Sequence, residues 1–160
     1  MKIVSFNMNS IRARPHQLIY LRDTLDPDVI GIQETKVNDP EFPVDEINEI
    51  GYHPEYWGQK GHYGVAILSK KKPTEVQKGF IKDTAEDQKR FIQAKFKWGK
   101  ESITIMNGYF PQGENRAHET KFPKKIKYYS DLKKHIKKTQ KTEDNIIVMG
   151  DFNVAPSPLD

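Results

Sequence analysis

Residues 146–153 read Ile-Ile-Val-Met-Gly-Asp-Phe-Asn, and the interpretation of the whole chain is built outward from them. The four leading residues are apolar and mostly β-branched, which predicts a strand buried on both faces. Gly150 would permit a close backbone approach. Asp151 and Asn153 lie two residues apart, so in an extended chain their side chains point the same way. The alternative interpretation is a strand followed by an Asx turn.

Other predicted strands also lead into polar side chains, and this repetition favours a site over an isolated turn. The polar positions at strand ends are Asn7, Glu34, Asn107 with Tyr109, and Asp151 with Asn153. Open α/β sheets place ligands at the carboxyl ends of their strands. We therefore expect these side chains to lie close together.

A strand, a helix and a second strand follow one another within residues 2–33, which predicts a crossover unit of an α/β fold. The helix is expected from Pro15 to Leu25, because Pro suits a first turn and the residue before Pro27 avoids the helical region. Later elements are a short helix over 43–50, strands over 52–57, 65–69, 90–96 and 103–109, and a long helix over 120–139. Short turns between these strands indicate that part of the sheet is antiparallel.

The composition limits the function classes. The chain has 160 residues, a formal net charge of +4 and no cysteine. Disulfides, a thiolate nucleophile and a cysteine zinc site are therefore excluded, and a reducing compartment such as the cytoplasm is favoured. No run of 18 apolar residues suggests a membrane span. The lysines of the long helix are interpreted as a solvated face in preference to a nucleic-acid grip.

The polar strand ends suit a Mg²⁺-dependent phosphodiesterase. Mg²⁺ needs only one or two protein carboxylates, which Glu34 and Asp151 would supply. Asp151 could orient or deprotonate an attacking water. Asn7 and Asn153 could hold a phosphate oxygen without repelling it, and Tyr109 could donate to a developing oxyanion. Each residue alone is more often an ordinary turn or packing residue, so the hypothesis depends on the joint pattern.

Five segments, in order along the chain, resemble the exonuclease III (abasic-site endonuclease) branch of the endonuclease/exonuclease/phosphatase superfamily. They are Ser-Phe-Asn at 5–7, Ile-Gln-Glu-Thr-Lys at 32–36, Gly-His-Tyr-Gly-Val-Ala at 61–66, Asn-Gly-Tyr-Phe-Pro-Gln-Gly at 107–113 and Met-Gly-Asp-Phe-Asn at 149–153. The resemblance implies the N-terminal half of a four-layered α/β sandwich, with mixed β-sheet and flanking helices.

The resemblance also implies a Mg²⁺-dependent DNA repair nuclease, with Mn²⁺ as an alternative ion. Such enzymes act on double-stranded DNA, where they cleave 5′ of abasic sites and remove nucleotides from 3′ ends. By this resemblance Glu34 is the metal ligand, with Asn7 beside it. Asp151 serves the nucleophilic water or the leaving group, while Asn153 and Tyr109 hold the phosphate. DNA-contact positions implied in the same way are Arg90, Gln112 and Lys121.

The chain departs from that branch because it has no late Ser-Asp-His motif. We therefore expect residues 1–160 to be a single partial domain that lacks its C-terminal part and has little or no nuclease activity alone. Half of such a sandwich is expected to leave one apolar sheet face bare, so that the chain associates with itself or with the missing half.

Two other functions remain open from the sequence. The first is a different phosphodiesterase of the same superfamily, acting on a phosphoinositide or a sphingolipid. The second is a DNA-binding module without catalysis, whose binding would fall steeply with salt. The number of metals, the balance of endonuclease and exonuclease activity and the oligomeric state are also left open.

Overall fold

The computed structural model describes residues 1–140, 145–155 and 157. The strands are β1 (Ile3–Asn7), β2 (Val29–Gln33), β3 (His53–Trp57), β4 (Val65–Ser69), β5 (Glu75–Lys78), β6 (Phe91–Trp98), β7 (Glu101–Tyr109) and β8 (Asn145–Asp151). The helices are α1 (Pro15–Leu25), α2 (Val44–Glu49) and α3 (Lys121–Thr139), with a short 3-10 helix at Asp39–Glu41. The sequence pattern predicted most of these elements, but not the 3-10 helix or β5, whose side chains are mostly exposed and lack an apolar alternation.

The strands form two four-stranded sheets, each of mixed direction. The first has the order β1-β2-β4-β3 and the second the order β5-β6-β7-β8. β1 and β2 run parallel and are joined through α1, which confirms the predicted crossover. β7 and β8 also run parallel, whereas the remaining neighbours are antiparallel. Each sheet therefore carries one parallel pair at one of its edges.

Successive side chains along a strand point to opposite faces of its sheet, and the apolar ones form three separate cores. These cores lie between four layers of secondary structure. In β2, Ile30 and Ile32 face α1 and α2, while Val29 faces the second sheet. In β7, Ile105 lies between the sheets and Met106 packs toward α3. This arrangement of helix, sheet, sheet and helix confirms the predicted four-layered sandwich.

The prediction of a bare apolar sheet face is wrong. The chain supplies part of both sheets, so the sheets cover each other with one face and the helices cover the outer faces. Each sheet has two edge strands in the part of the chain that the structure describes, β1 and β3 in the first sheet and β5 and β8 in the second. Of these, β1 and β8 contact each other across the sandwich.

The prediction that residues 146–149 are buried on both faces is also wrong. Within β8 only Met149 is buried, whereas Ile146, Ile147 and Val148 are half-buried. The reason is position: apolar runs indicate a strand next to a core, but an edge strand leaves part of each side chain uncovered. Gly150 behaves as predicted, because a Cβ there would lie 2.0 Å from the carbonyl oxygen of Gly108 on the neighbouring strand.

Asn107 does not lie at a strand end with Tyr109, as the sequence suggested, but is wholly buried between the sheets. Its Nδ2 donates to the carbonyl oxygens of Ile32 and Ala66, at 2.9 Å each, on β2 and β4. Its Oδ1 accepts from Nε2 of Gln33 at 2.6 Å. Because a buried amide is costly without partners, these three bonds make Asn107 a polar tie between the two sheets.

The long helix α3 buries Leu132 and His135 against the second sheet and turns its lysines outward. Asp131 pairs with Lys127 at 2.6 Å and with Lys134 at 3.8 Å on this outer surface. None of the helices in the described ranges combines the length and apolar character that a membrane span requires.

Replacing Asn107 with Leu should destabilise the fold strongly. The substitution removes the Asn107 donor from two buried carbonyl oxygens and one of the acceptors of the Gln33 amide, which should lower the free energy of unfolding by about 2 to 4 kcal/mol. Urea unfolding of Asn107→Leu measures this loss, and Asn48→Leu on the exposed side of α2 is the control. Equal stability of the two variants would show that the tie contributes nothing.

Candidate active site

The two parallel strand pairs end at the same end of the sandwich. Asn7 at the end of β1 is in register with Gln33 at the end of β2, and Tyr109 at the end of β7 is in register with Asp151 at the end of β8. Glu34 follows β2 directly. The strand ends that the sequence singled out therefore converge, although they come from different sheets.

Asn7 joins the two carboxylates of the site. Its Nδ2 donates to Oε1 of Glu34 at 2.9 Å and to Oδ2 of Asp151 at 2.9 Å. One amide group thus holds a carboxylate of the first sheet beside a carboxylate of the second. The side-chain oxygen Oδ1 of Asn7 faces the other way and accepts a hydrogen bond from the backbone N–H of Asn9 at 3.1 Å.

Glu34 accepts hydrogen bonds from several directions and keeps only 18% of its side chain exposed. Nζ of Lys36 lies 2.9 Å from Oε2, and the Tyr109 phenol also donates to this carboxylate. Burial raises the pKa of Glu34, but the hydrogen bonds from Asn7, Lys36 and Tyr109 outweigh it and leave the pKa below its ordinary value. Glu34 is therefore ionised at neutral pH.

The backbone around Glu34 is strained and is held by backbone hydrogen bonds on two sides. Glu34 and Lys36 both have positive φ, at 54° and 55°, which non-glycine residues adopt at a cost of roughly 1 to 3 kcal/mol. The Glu34 carbonyl accepts from Ser10 N at 2.7 Å, and Lys36 N donates to the carbonyl oxygen of Tyr63 at 3.0 Å. The loops after β1 and before β4 thus hold Glu34 in an unusual conformation, as is common at functional sites.

The prediction that the side chains of Asp151 and Asn153 point in the same direction is wrong, because β8 ends at Asp151 and the chain turns after it. Asn153 has φ of 51°, its N–H donates to Oδ1 of Asp151 at 3.1 Å, and its Nδ2 donates to the carbonyl of Phe110 at 2.9 Å. This is the Asx turn that the sequence left open as the alternative. The turn and the carboxylate site therefore coexist in one segment.

Tyr109 lies half-buried between Glu34 and Arg90. Burial, followed by the hydrogen bond to Glu34, raises the pKa of Tyr109 to about 12, so the phenol keeps its proton at neutral pH. The Arg90 guanidinium carbon lies 4.7 Å from the Tyr109 ring centroid, and Nη1 donates to the Tyr109 carbonyl at 3.1 Å. Burial also lowers the pKa of Arg90.

The other two sequence-predicted DNA contacts lie outside this cluster. Gln112 is exposed, and its carbonyl accepts from Lys125 Nζ at 3.1 Å. Lys121, at the start of α3, pairs with Glu114. Lys125 connects this surface to the site, since its Nζ also donates to the carbonyl of Asn153 at 2.6 Å.

Sequence reasoning assigned no role to Lys36 or Lys125, to Tyr63, or to Gln88 beside Arg90. Lys36 was detectable in principle, because it belongs to the same five-residue segment as Glu34. Tyr63 likewise belongs to the segment at 61–66 that carries the resemblance. Gln88 and Lys125 come from a loop and a helix whose approach to the site is set by tertiary packing, and no local pattern marks them.

The donor set fits a hard divalent cation of the Mg²⁺ type. Within the described ranges no group of three or more histidine, aspartate or glutamate side chains converges. Mg²⁺ keeps several waters and needs only one or two carboxylates, and Glu34 and Asp151 share the Asn7 amide. Asn7 turns its amide nitrogen toward them, so acting as a ligand itself would require this amide to rotate.

Comparison with known proteins agrees with this geometry. The model of the Endonuclease/Exonuclease/phosphatase family matches residues 4–160. The chain belongs to this family. It is 50% identical to exodeoxyribonuclease III of Haemophilus influenzae, over the whole chain and 60% of that relative. The chain thus spans about three fifths of the length of this curated relative.

Solved structures with the same architecture include two that act on DNA ends or abasic sites by their descriptions. The 3′ phosphatase NExo from Neisseria, bound to a product DNA hairpin, has a TM-score of 0.90 and 29% identity over all of this chain and 60% of that one. The AP endonuclease from Archaeoglobus fulgidus has a TM-score of 0.85 and 37% identity over the same shares. Membership in the family is therefore supported by sequence and by fold.

Removing the Lys36 ammonium should raise the pKa of Glu34. Lys36→Met deletes a hydrogen bond and a positive charge that both favour the ionised carboxylate. The side-chain carboxyl ¹³C resonance of Glu34, followed against pH, measures the change, and Lys60→Met in an exposed loop is the control.

The same change has a consequence for stability. A lowered folded pKa stabilises the fold above the ordinary value of 4.5, and this contribution disappears as the pH falls through the folded value. The difference in free energy of unfolding between the wild type and Lys36→Met should therefore shrink at low pH. A difference that persists unchanged to pH 2 would contradict this account.

Proposed function

We propose that the protein containing these residues is a Mg²⁺-dependent DNA repair nuclease, for which Mn²⁺ can substitute. It hydrolyses phosphodiester bonds of double-stranded DNA, at abasic sites and at 3′ ends, and acts in the cytoplasm. The observation that carries the proposal is the Asn7 amide, which holds Glu34 and Asp151 at 2.9 Å each beside the Tyr109 phenol. The functions in the names of the DNA-repair relatives are consistent with it.

Glu34 would hold the metal, and its lowered pKa keeps the carboxylate ionised for this purpose. The ion would polarise the scissile phosphate and offset the charge that develops during hydrolysis. Lys36 would limit the electrostatic repulsion between Glu34 and the phosphate, because its ammonium group lies 2.9 Å from the carboxylate. Asn7 would keep the second carboxylate at a fixed position next to the first.

Asp151 would accept the proton of the attacking water or serve the leaving group. Each of its oxygens accepts one hydrogen bond, from Asn7 and from the Asn153 N–H, and carboxylate oxygens retain further acceptor capacity. These two bonds fix the direction of the carboxylate. Asn153 would hold a phosphate oxygen only after its amide leaves the Phe110 carbonyl, so its first contribution is to shape the turn.

Tyr109 would donate a hydrogen bond to a phosphate oxygen in the transition state, for which its single O–H has to turn from the Glu34 carboxylate to the phosphate. Its pKa of about 12 keeps the phenol protonated across the neutral range, as a donor requires. Arg90, Gln112 and Lys121 would contact the DNA backbone, and the net charge of +4 favours such an anionic partner. Of these three, Arg90 is the one with contacts to Tyr109.

Metal binding at Glu34 can be tested without any assay of activity. Mn²⁺ is paramagnetic, so it should broaden the resonances of Asn7, Glu34 and Asp151 in the chain at low added concentration. Glu34→Gln should weaken this binding about tenfold or more, because it removes a charged oxygen ligand. Glu49→Gln, on the exposed end of α2, should leave it unchanged. Broadening centred on other acidic residues would refute the assignment.

Residues 1–160 by themselves should cleave slowly. Asn7 and Asp151 lie on β1 and β8, which are open edges within the described ranges, so no described strand flanks the site on that side. Incomplete enclosure weakens positioning and electrostatics together, and losing one part of a catalytic unit costs about 10³-fold or more. Single-turnover cleavage of an abasic duplex, compared with the Haemophilus relative, measures this. Equal rates would contradict the expectation.

The alternatives give different results in the same experiments. A DNA-binding module without catalysis would bind duplex DNA in a salt-sensitive manner that is indifferent to Mg²⁺ and to Glu34→Gln. A phosphodiesterase for another substrate class would hydrolyse a phosphoinositide and leave abasic DNA intact. Slow cleavage of abasic DNA that requires Mg²⁺ and Glu34 would exclude both.

A further inference from the structure

We propose that Gln88 is a positioning residue for Tyr109 and acts through a stack formed by Tyr63, Arg90 and Tyr109. The inference rests on the proposed function of Tyr109 as a hydrogen-bond donor to the phosphate. Gln88 lies in the connection between β5 and β6, and its side-chain hydrogen bonds go to Tyr63 and Arg90. It therefore acts on the site through other residues.

The stack places one cation over two phenol rings. The guanidinium carbon of Arg90 lies 4.2 Å from the ring centroid of Tyr63 and 4.7 Å from that of Tyr109. The two ring centroids are 6.4 Å apart, and the rings are tilted by 43°. Arg90 attracts the faces of both rings, so its location controls where the two rings can lie.

The Gln88 side-chain amide forms hydrogen bonds to both members of the contact between Arg90 and Tyr63. Its Oε1 accepts from Arg90 Nε at 2.6 Å, and its Nε2 donates to the Tyr63 hydroxyl at 2.9 Å. Arginine carries only donors, so the amide has a single orientation that satisfies both partners. One side chain thus fixes Arg90 and Tyr63 relative to each other.

The stack is anchored to the site through the backbone on two sides. The N–H of Tyr109 donates to the carbonyl of Arg90 at 2.7 Å, and Nη1 of Arg90 returns a bond to the carbonyl of Tyr109 at 3.1 Å. The carbonyl of Tyr63 accepts from Lys36 N at 3.0 Å, two residues after Glu34. Displacement of Arg90 would therefore move the phenol relative to the Glu34 carboxylate.

Gln88 holds Arg90 without neutralising it. Among the described residues Arg90 forms no ion pair with a carboxylate, so its positive charge stays available beside Tyr109. This predicts different effects for two substitutions. Gln88→Leu removes both hydrogen bonds and should disorder the stack. Gln88→Glu can accept from Arg90 and from the Tyr63 hydroxyl, so it should keep the stack but cancel the charge.

Tyrosine labelled with ¹³C in the ring tests the geometry directly. The Tyr109 resonance is identified as the one that disappears in Tyr109→Phe. In Gln88→Leu it should move toward the random-coil position, whereas Gln88→Glu should retain the wild-type position. Gln77→Leu is the matched control, since Gln77 bonds the Gly79 carbonyl in the same hairpin without touching the stack. If Gln88→Leu fails to fold, Gln88→Ala removes the same two bonds without adding apolar surface.

A Tyr109 resonance that stays in place when both bonds are removed would overturn the proposal, as would an equal shift in Gln77→Leu. Single-turnover cleavage of an abasic duplex adds a second criterion. Gln88→Leu should lower the rate at saturating DNA about tenfold, and Gln88→Glu should instead weaken DNA binding about tenfold. Failure of Mn²⁺ to bind at Glu34 would count against the proposed function alone, because the ring resonance still decides the role of Gln88 whether or not residues 1–160 cleave DNA.

Discussion

The hydrogen bonds of Asn107 fix how the two sheets lie on each other. Apolar packing between sheets tolerates sliding, because dispersion and the hydrophobic effect have little directionality. A buried amide with three hydrogen-bond partners does not tolerate such sliding, since any shift leaves a polar group unpaired at a cost of about 1 to 3 kcal/mol. Asn107 bonds carbonyls on two strands of the first sheet and the amide of Gln33. The relative register of the sheets therefore follows from one side chain.

That register brings the carboxyl ends of both parallel pairs to one place. The layer between the sheets is apolar where Val29 and Ile105 meet, becomes polar at Asn107, and ends at the Asn7 bridge between Glu34 and Asp151. A carboxylate from each sheet can share one amide only if the sheets keep this alignment. The stability of the interior and the geometry of the site thus depend on the same interface.

The sequence predicted the elements well where a pattern is local. α1 between Pro15 and Pro27 and the motif residues at strand ends were found from periodicity, helix signals and spacing. It failed where tertiary position decides. An apolar run gave no indication that β8 is an edge strand, and a polar residue near a strand end gave none that Asn107 is buried. The contact of Gln88 with Tyr63 was not predicted because it joins segments far apart in sequence.

Neutral amides hold the charged groups of the site. Asn7 lies between two carboxylates and Gln88 beside a guanidinium, and neither alters the net charge of its partners. An ion pair in the same position would fix the geometry as well, but it would neutralise part of the charge that attracts a bound cation or phosphate. Lys36, which pairs with Glu34, still leaves the carboxylate partly exposed. Positioning and charge are thus separated, so the acidic and basic groups can act on a ligand instead of on each other.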